Sequence, residues 1–198
     1  FSADAPAGAV AATPTVLSTL RDHRHVFITL GIGVMLVSAV RATRPAVIPL
    51  WCDHLALEAS VTSLIYGIAG GIDMLVFYPA GKLMDRKGRQ WVAIPSTLIM
   101  GTAMLLIPLS TGFAGLLLAS LLIGFGNGIS SGLNMTLGAD FSPDNGRGLF
   151  LGIWRFMADA GATGGPVLLS AVTAVASLGA GVAATGVLGF AAAAVFAV

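Results

Sequence analysis

Five charged side chains interrupt the long apolar runs of this sequence: Arg41, Arg44, Asp73, Arg155 and Asp159. A charge inside a hydrocarbon layer is costly unless it is paired or faces water, so each is a candidate for chemistry. Asp159 stands ten residues past Leu149, about 15 Å along a helix at about 1.5 Å per residue and near the midplane of a core about 30 Å thick. Arg155 lies four residues earlier, on the same helical face, so guanidinium and carboxyl meet within one turn. Such a pair suits proton binding: desolvation disfavours the ionised carboxyl, the guanidinium favours it, and opening or closing the pair loads or unloads the proton. A static ion pair that only lowers insertion cost is the plainer reading of the same spacing.

Asp73 falls, by the same rise, about 7 Å from the Tyr78 end of its run, which suits a structural partner such as a basic loop residue better than a proton site. Arg44, just before Pro45, is expected to snorkel outward. Arg41 lies deeper and has two equal readings: contact with an anionic substrate, or pairing with Asp73 or Asp159. A polar flank follows at Asn127, Ser130, Ser131, Asn134 and Thr136, residue types that either line a path through the protein or hydrogen-bond neighbouring helices.

Gly128-Ile-Ser130-Ser131-Gly132 matches G-x-S-x-G, which raises an intramembrane serine protease as an alternative. A serine nucleophile needs a base, and the only histidines, His23, His25 and His54, lie in an amino-terminal segment and a loop rather than on a later helix. The sequence therefore does not read as an enzyme. His54 beside Asp53 is a solvated pair rather than a metal site, and three His with one Cys build neither a zinc site nor a disulfide framework. No metal or cofactor is called for.

The elements that must position these groups follow from composition. Hydrophobic residues make up 56% of the 198, charged residues only 10%, and mean hydropathy is +0.91. A soluble domain carries about 25% charged residues, so lipid is the expected surroundings. A net charge of +1 offers no basic field for nucleic acid. Residues 1–25 read as a flexible linker, and an opening Phe in place of Met suggests a piece of a longer chain. Residues 26–198 read as six transmembrane helices, over 26–50, 61–78, 91–109, 113–137, 149–172 and 177–198, each long enough to cross the core.

Lys and Arg set the orientation. Arg21 and Arg24 precede the first span, Lys82, Arg86, Lys87 and Arg89 join the second and third, and Arg147 lies between the fourth and fifth, whereas the alternate connections carry none. Both ends are thus expected in the cytoplasm of a cell membrane. Glycines recur at a spacing of four in Gly67 and Gly71, in Gly124, Gly128 and Gly132, and in Gly161 and Gly165, which makes smooth faces for close helix packing or for sliding.

The most specific signal is Gly81-Lys-Leu-Met-Asp85-Arg86-Lys-Gly88-Arg89-Gln, placed in the turn between the second and third spans. Gly81 and Gly88 permit a tight reversal with close helix approach, and Asp85 pairs with a cation or helix amides. This stretch resembles the signature loop of the major facilitator superfamily, G-x-L-x-D-R-x-G-R-[RK]. Gly152, Gly161, Gly165 and Pro166 are similar to the G-x8-G-x3-G-P motif on the fifth helix of proton-coupled antiporters, with the closing glycine pair replaced by Leu169 and Ser170. The Arg of the family's fourth-helix motif is absent, Ser120 standing in its place. That departure points to the second half of a transporter, helices 7 to 12, and the Ala/Pro-rich start suits a central cytoplasmic loop.

The resemblance implies an all-α membrane fold, one half built of two inverted three-helix repeats, that binds a small-molecule substrate near the midplane beside another six-helix half. It implies secondary active transport by alternating access, with proton-coupled efflux of drugs or metabolites as the nearest type. A non-transporting half that only docks to a partner is the remaining alternative. The resemblance also groups Asp140 and Arg147 with Asp85 and Arg89 as a cytoplasmic latch, the plainer reading of which is a solvated loop. The topology is testable: single cysteines at Glu58 and Lys87 are expected to react with impermeant thiol reagents from opposite sides, Glu58 from outside. Labelling from one side would overturn the six-span topology.

Overall fold

The apolar runs fold as helices throughout residues 15–197, the part that this computed structural model describes. Residues 1–14 of the expected linker lie outside the described residues. The rest of that stretch is helical rather than flexible: Thr15 and Ser18 form a reciprocal capping box that starts a short helix α1, Val16–Asp22. The cap satisfies the first free amides, and that is why the chain is ordered this early.

Six long helices follow: α2 (Arg24–His54), α3 (Ala59–Lys87), α4 (Gln90–Leu109), α5 (Phe113–Phe141), α6 (Arg147–Val175) and α7 (Leu178–Phe196). The last turn of α4 is 3-10, and α5 is broken at Ser131 and Gly132 between two helical stretches, Phe113–Ser130 and Leu133–Phe141. Five of the six expected spans are long and apolar enough to cross a membrane; α6, with 29 residues, is as long as α3 but less apolar. Arg155, Asp159 and five glycines dilute it. Neighbours hold it instead: Phe150 packs on Phe27 near one end of α6, Gly161 and Gly165 sit on the α2 backbone, and Leu169 and Thr173 approach Ala46 and Leu50 near the other.

The packing order is symmetric. α2 packs along α6 and α7, α5 along α3 and α4, and α4 along α7. Exchanging the first three long helices with the last three maps these contacts onto one another, although α6 also packs along α7 more extensively than its counterpart α3 does along α4. Because each unit has an odd number of spans, the second must run inverted to the first, which is the two-repeat architecture.

Close backbone contact makes this possible. A side-chain carbon on Gly161 or Gly165 would collide with the backbone of Met35 or Ala39, and one on Gly124 with the backbone of Ala69. At Gly128 it would lie 2.5 Å from the Asp73 carbonyl oxygen, and at Gly189 2.7 Å from the Gly101 Cα. Lipid gives no hydrophobic drive between helices, so such surfaces gain their stability from van der Waals contact alone. Other glycines of the expected stripes face open space: Gly67, Gly71, Gly81 and Gly152 have no neighbour within 4 Å of an added carbon, and Gly132 only the edge of Thr136. The expected close approach at Gly81 is therefore not made within this chain.

The signature stretch also differs from the expected turn. Gly81 to Lys87 are the last turns of α3, and only Gly88, at φ +96°, reverses the chain. Glycine tolerates this left-handed conformation at the end of a helix, where it stops the helix and lets α4 start at once. Two neighbouring glycines of α6 test the packing. Gly161→Val is expected to lower the melting temperature in detergent, by the equivalent of about 1–3 kcal/mol of overpacking. Gly164→Val, with nothing within 4 Å, is expected to leave it nearly unchanged.

Candidate functional site

The helix pairs that glycine brings together carry the polar groups. With Gly128 of α5 against the α3 backbone at Asp73, the neighbouring Asn127 reaches across, and its Nδ2 donates to Asp73 Oδ2 at 2.6 Å. Arg44 Nη1 of α2 donates to the same oxygen at 2.9 Å, and its guanidinium lies 5.5 Å from the centre of the Tyr66 ring. Three helices are thus tied at one carboxylate. Arg44 does not snorkel outward as its position before Pro45 suggests; it is 8% exposed. An acid already within reach in the bundle makes pairing better than a route to the surface. Asp73 is likewise not near a cytoplasmic end. It is the middle residue of α3, because that helix continues past Tyr78 to Lys87.

Arg155 and Asp159 of α6 meet as their spacing implies. Arg155 Nε donates to both carboxylate oxygens at 3.0 Å, and the two side chains are 74% and 58% exposed. They open onto a cavity of about 330 Å3, shared with Ser38 and Arg41 of α2 and Asn134 of α5. Asp159 lies two residues from the middle of α6. The two pairs differ in kind: breaking a buried pair such as Arg44–Asp73 costs about 3–5 kcal/mol, whereas an exposed helical pair contributes about 0.3–0.5 kcal/mol. Of the two, only Arg44–Asp73 joins separate helices; Arg155–Asp159 lies within one helix.

Arg41 pairs with neither Asp73 nor Asp159. Its Nη1 donates to the Ser130 carbonyl oxygen at 3.2 Å, at the last residue before the break in α5. Ser130, the serine of the G-x-S-x-G match, is buried and donates its hydroxyl to the carbonyls of Gly126 and Asn127. Asn134 accepts from Trp154 Nε1 at 2.7 Å, fixing α5 to α6, while the Ser131 side chain is half-buried with no hydrogen bond among the described residues. Of the polar flank, Asn127 and Asn134 bind neighbouring helices, and Asn134 also lines the cavity.

At the end of the bundle expected to face the cytoplasm, Arg89 joins three helix ends. Its Nε donates to Asp140 Oδ2 at 2.8 Å and its Nη1 to Asp85 Oδ1 at 3.2 Å. The hydrogen bond that Arg89 donates to Asp140, ahead of the contact with Asp85, pushes its guanidinium above the ordinary range, so it stays charged at any physiological pH. Arg86 and Arg147 are exposed, and neither makes an ion pair among the described residues. The expected four-residue latch is therefore three residues: Arg147 starts α6 after Gly146, at φ +79°, and does not join it. In the helix-six motif Gly161 and Gly165 seat on α2, Gly152 faces open space, and Pro166 continues the helix beside Leu169.

The Arg44–Asp73–Asn127 junction and the Trp154–Asn134 bond escaped sequence reasoning. The in-span charges were visible, but which helix faces which was not, and an indole beside Arg155 carries no signal of its own. Among the described residues no group of His, Cys, Asp and Glu is arranged to hold a metal ion.

Six packed helices in two inverted units, a carboxylate cavity near mid-span and the Asp85–Arg89–Asp140 junction are what a sequence profile can now be set against. No curated protein matches the chain. The profile of the Major Facilitator Superfamily matches residues 15–198, nearly the whole sequence, and the chain belongs to that superfamily of membrane transporters.

Proposed function

We propose that this chain is one six-helix half of a secondary active transporter that moves a small molecule by alternating access, coupled to protons, in the direction of efflux. It works beside a second six-helix half in the cell membrane, with both ends in the cytoplasm and substrate held at the midplane between the halves. The observation that carries this reading is the Arg155–Asp159 pair, weak, near mid-helix and open to a cavity rather than sealed in the bundle. A carboxyl so placed is within reach of whichever side the cavity faces, and its contact with the adjacent guanidinium is one that substrate or a helix movement can break. The sealed Arg44–Asp73 pair serves as a fixed tie between α2, α3 and α5. Arg89 holds the cytoplasmic ends of α3, α4 and α5 together in the present arrangement and lets go when that side opens.

Asp159→Asn mimics the protonated state, so in the intact transporter it is expected to abolish proton-driven accumulation while downhill exchange of substrate continues. Arg155→Ala removes the cation that pairs with this carboxyl, and the dependence of transport on pH is expected to differ from that of the unaltered protein. Transport assays in proteoliposomes with and without an imposed pH gradient decide both, and uphill transport by the Asn variant would reduce the pair to a structural role. For the latch, Asp85→Asn and Asp140→Asn are both expected to slow transport with normal insertion, and Asp140→Asn more so, because Asp140 holds Arg89 at the shorter distance. Equal or unchanged rates in the same assay would contradict that role.

A further inference from the structure

The charges away from the ends of the long helices do not balance. Three arginines, Arg41, Arg44 and Arg155, face two aspartates, Asp73 and Asp159. Arg44 holds Asp73, whose same oxygen also takes Asn127, and Arg155 holds both oxygens of Asp159. Arg41 is left with one hydrogen bond, to a neutral carbonyl, although a guanidinium carries five donors. Asp73, the acid whose charge reaches Arg41, is already held by Arg44 and Asn127, so Arg41 makes no ion pair of its own among the described residues; a cation so placed is costly, and side chains at such positions are kept for pathways and ligands. Its surroundings fit an anion: Arg41 lines the same cavity of about 330 Å3 as Ser38 and Asn134, a hydroxyl donor and an amide whose oxygen is already taken by Trp154, which leaves the amide NH2 as its free donor.

We propose that Arg41 is the anion-binding residue of this cavity, receiving a carboxylate or similar oxyanion group of the transported molecule. This rests on the cavity being the translocation path, and it adds the substrate class, a small organic anion. A planar guanidinium accepts an oxyanion through two parallel hydrogen bonds, so it binds and orients at once. The bond to the Ser130 carbonyl gives binding a mechanical consequence. That carbonyl ends the first stretch of α5, and an anion that draws Arg41 away would leave the broken helix uncapped at its negative end. The neutral Arg155–Asp159 pair in the same cavity then takes the proton while Arg41 takes the anion, so the two charges are handled by separate groups.

The test reads charge and occupancy at the cavity without needing the natural substrate. In the intact transporter, with the buried Cys52 replaced by Ala, Ser38→Cys is modified by sulfonatoethyl and by trimethylammonioethyl methanethiosulfonate, and the ratio of the two rates is taken. Arg41→Gln keeps a donor for the Ser130 carbonyl but removes the charge, and it is expected to lower the anionic-to-cationic ratio about tenfold or more. Arg41→Lys keeps the ratio, and so does Arg155→Gln combined with Asp159→Asn, which removes a pair already neutral. Acetate, benzoate or inorganic phosphate, at least one of the three, is expected to slow modification with Arg41 present, whereas benzamide does not. An unchanged ratio in Arg41→Gln, or no protection by any of the three anions, would overturn the proposal. The protection arm needs no Arg41 variant, so a misfolded variant leaves the question decided. Neither arm measures coupling, so a failure of Asp159 as the proton carrier would leave these results standing.

Discussion

Gly161 and Gly165 on the backbone of Met35 and Ala39, and Gly124 and Gly128 on that of Ala69 and Asp73, are the contacts on which the remaining structure depends. Water drives apolar helices together in a soluble protein, but lipid is as apolar as the side chains it would replace. Helices then hold only where their backbones come close enough for dense contact, and only glycine permits this without a side chain between them. The two helix pairs built this way, α2 with α6 and α3 with α5, are the same pair seen from the two sides of an inverted repeat. Gly101, Gly186 and Gly189 close the third interface, between α4 and α7, so each principal crossing rests on small residues.

That closeness also creates the polar interior. Asn127 reaches Asp73 because Gly128 beside it has no side chain to keep α5 away from α3. Once Asp73 is bound from two helices, Arg44 has a better partner than any lipid headgroup, and a charge that would otherwise seek the surface becomes a tie. α6 illustrates the reverse dependence. Its cavity-facing side carries Arg155 and Asp159, which lower its hydropathy below that of its neighbours, and the glycine seat on α2 and the aromatic contact of Phe150 with Phe27 hold it in place.

The two ion pairs show how a similar pairing serves opposite ends. A buried pair with a third hydrogen-bond partner is strong mainly because opening it would strand a charge, so it fixes geometry. A pair within one helix that lies at the surface of this half ties no two helices together. Between them, Arg41 bonds to the carbonyl at the α5 break, and this places a guanidinium with no ion pair among the described residues at the edge of the cavity.

Much of this was written in the sequence itself. Runs without charge demand spanning helices, because lipid leaves no other way to satisfy the backbone, and Lys and Arg in alternate loops orient them. The Asp85, Gly88 and Arg89 pattern carries the family, and the four-residue spacing of Arg155 and Asp159 suffices for their contact, since one helical turn brings them together without any help from the fold. Contacts between helices are different. Whether Arg44 snorkels or pairs, whether Gly67 or Gly161 meets a backbone, whether Arg147 joins the latch and where Arg41 points all depend on which faces of separate helices meet. Local periodicity places a residue on a face of its own helix and says nothing of what lies opposite, so these were decided by the packing of the two repeats alone.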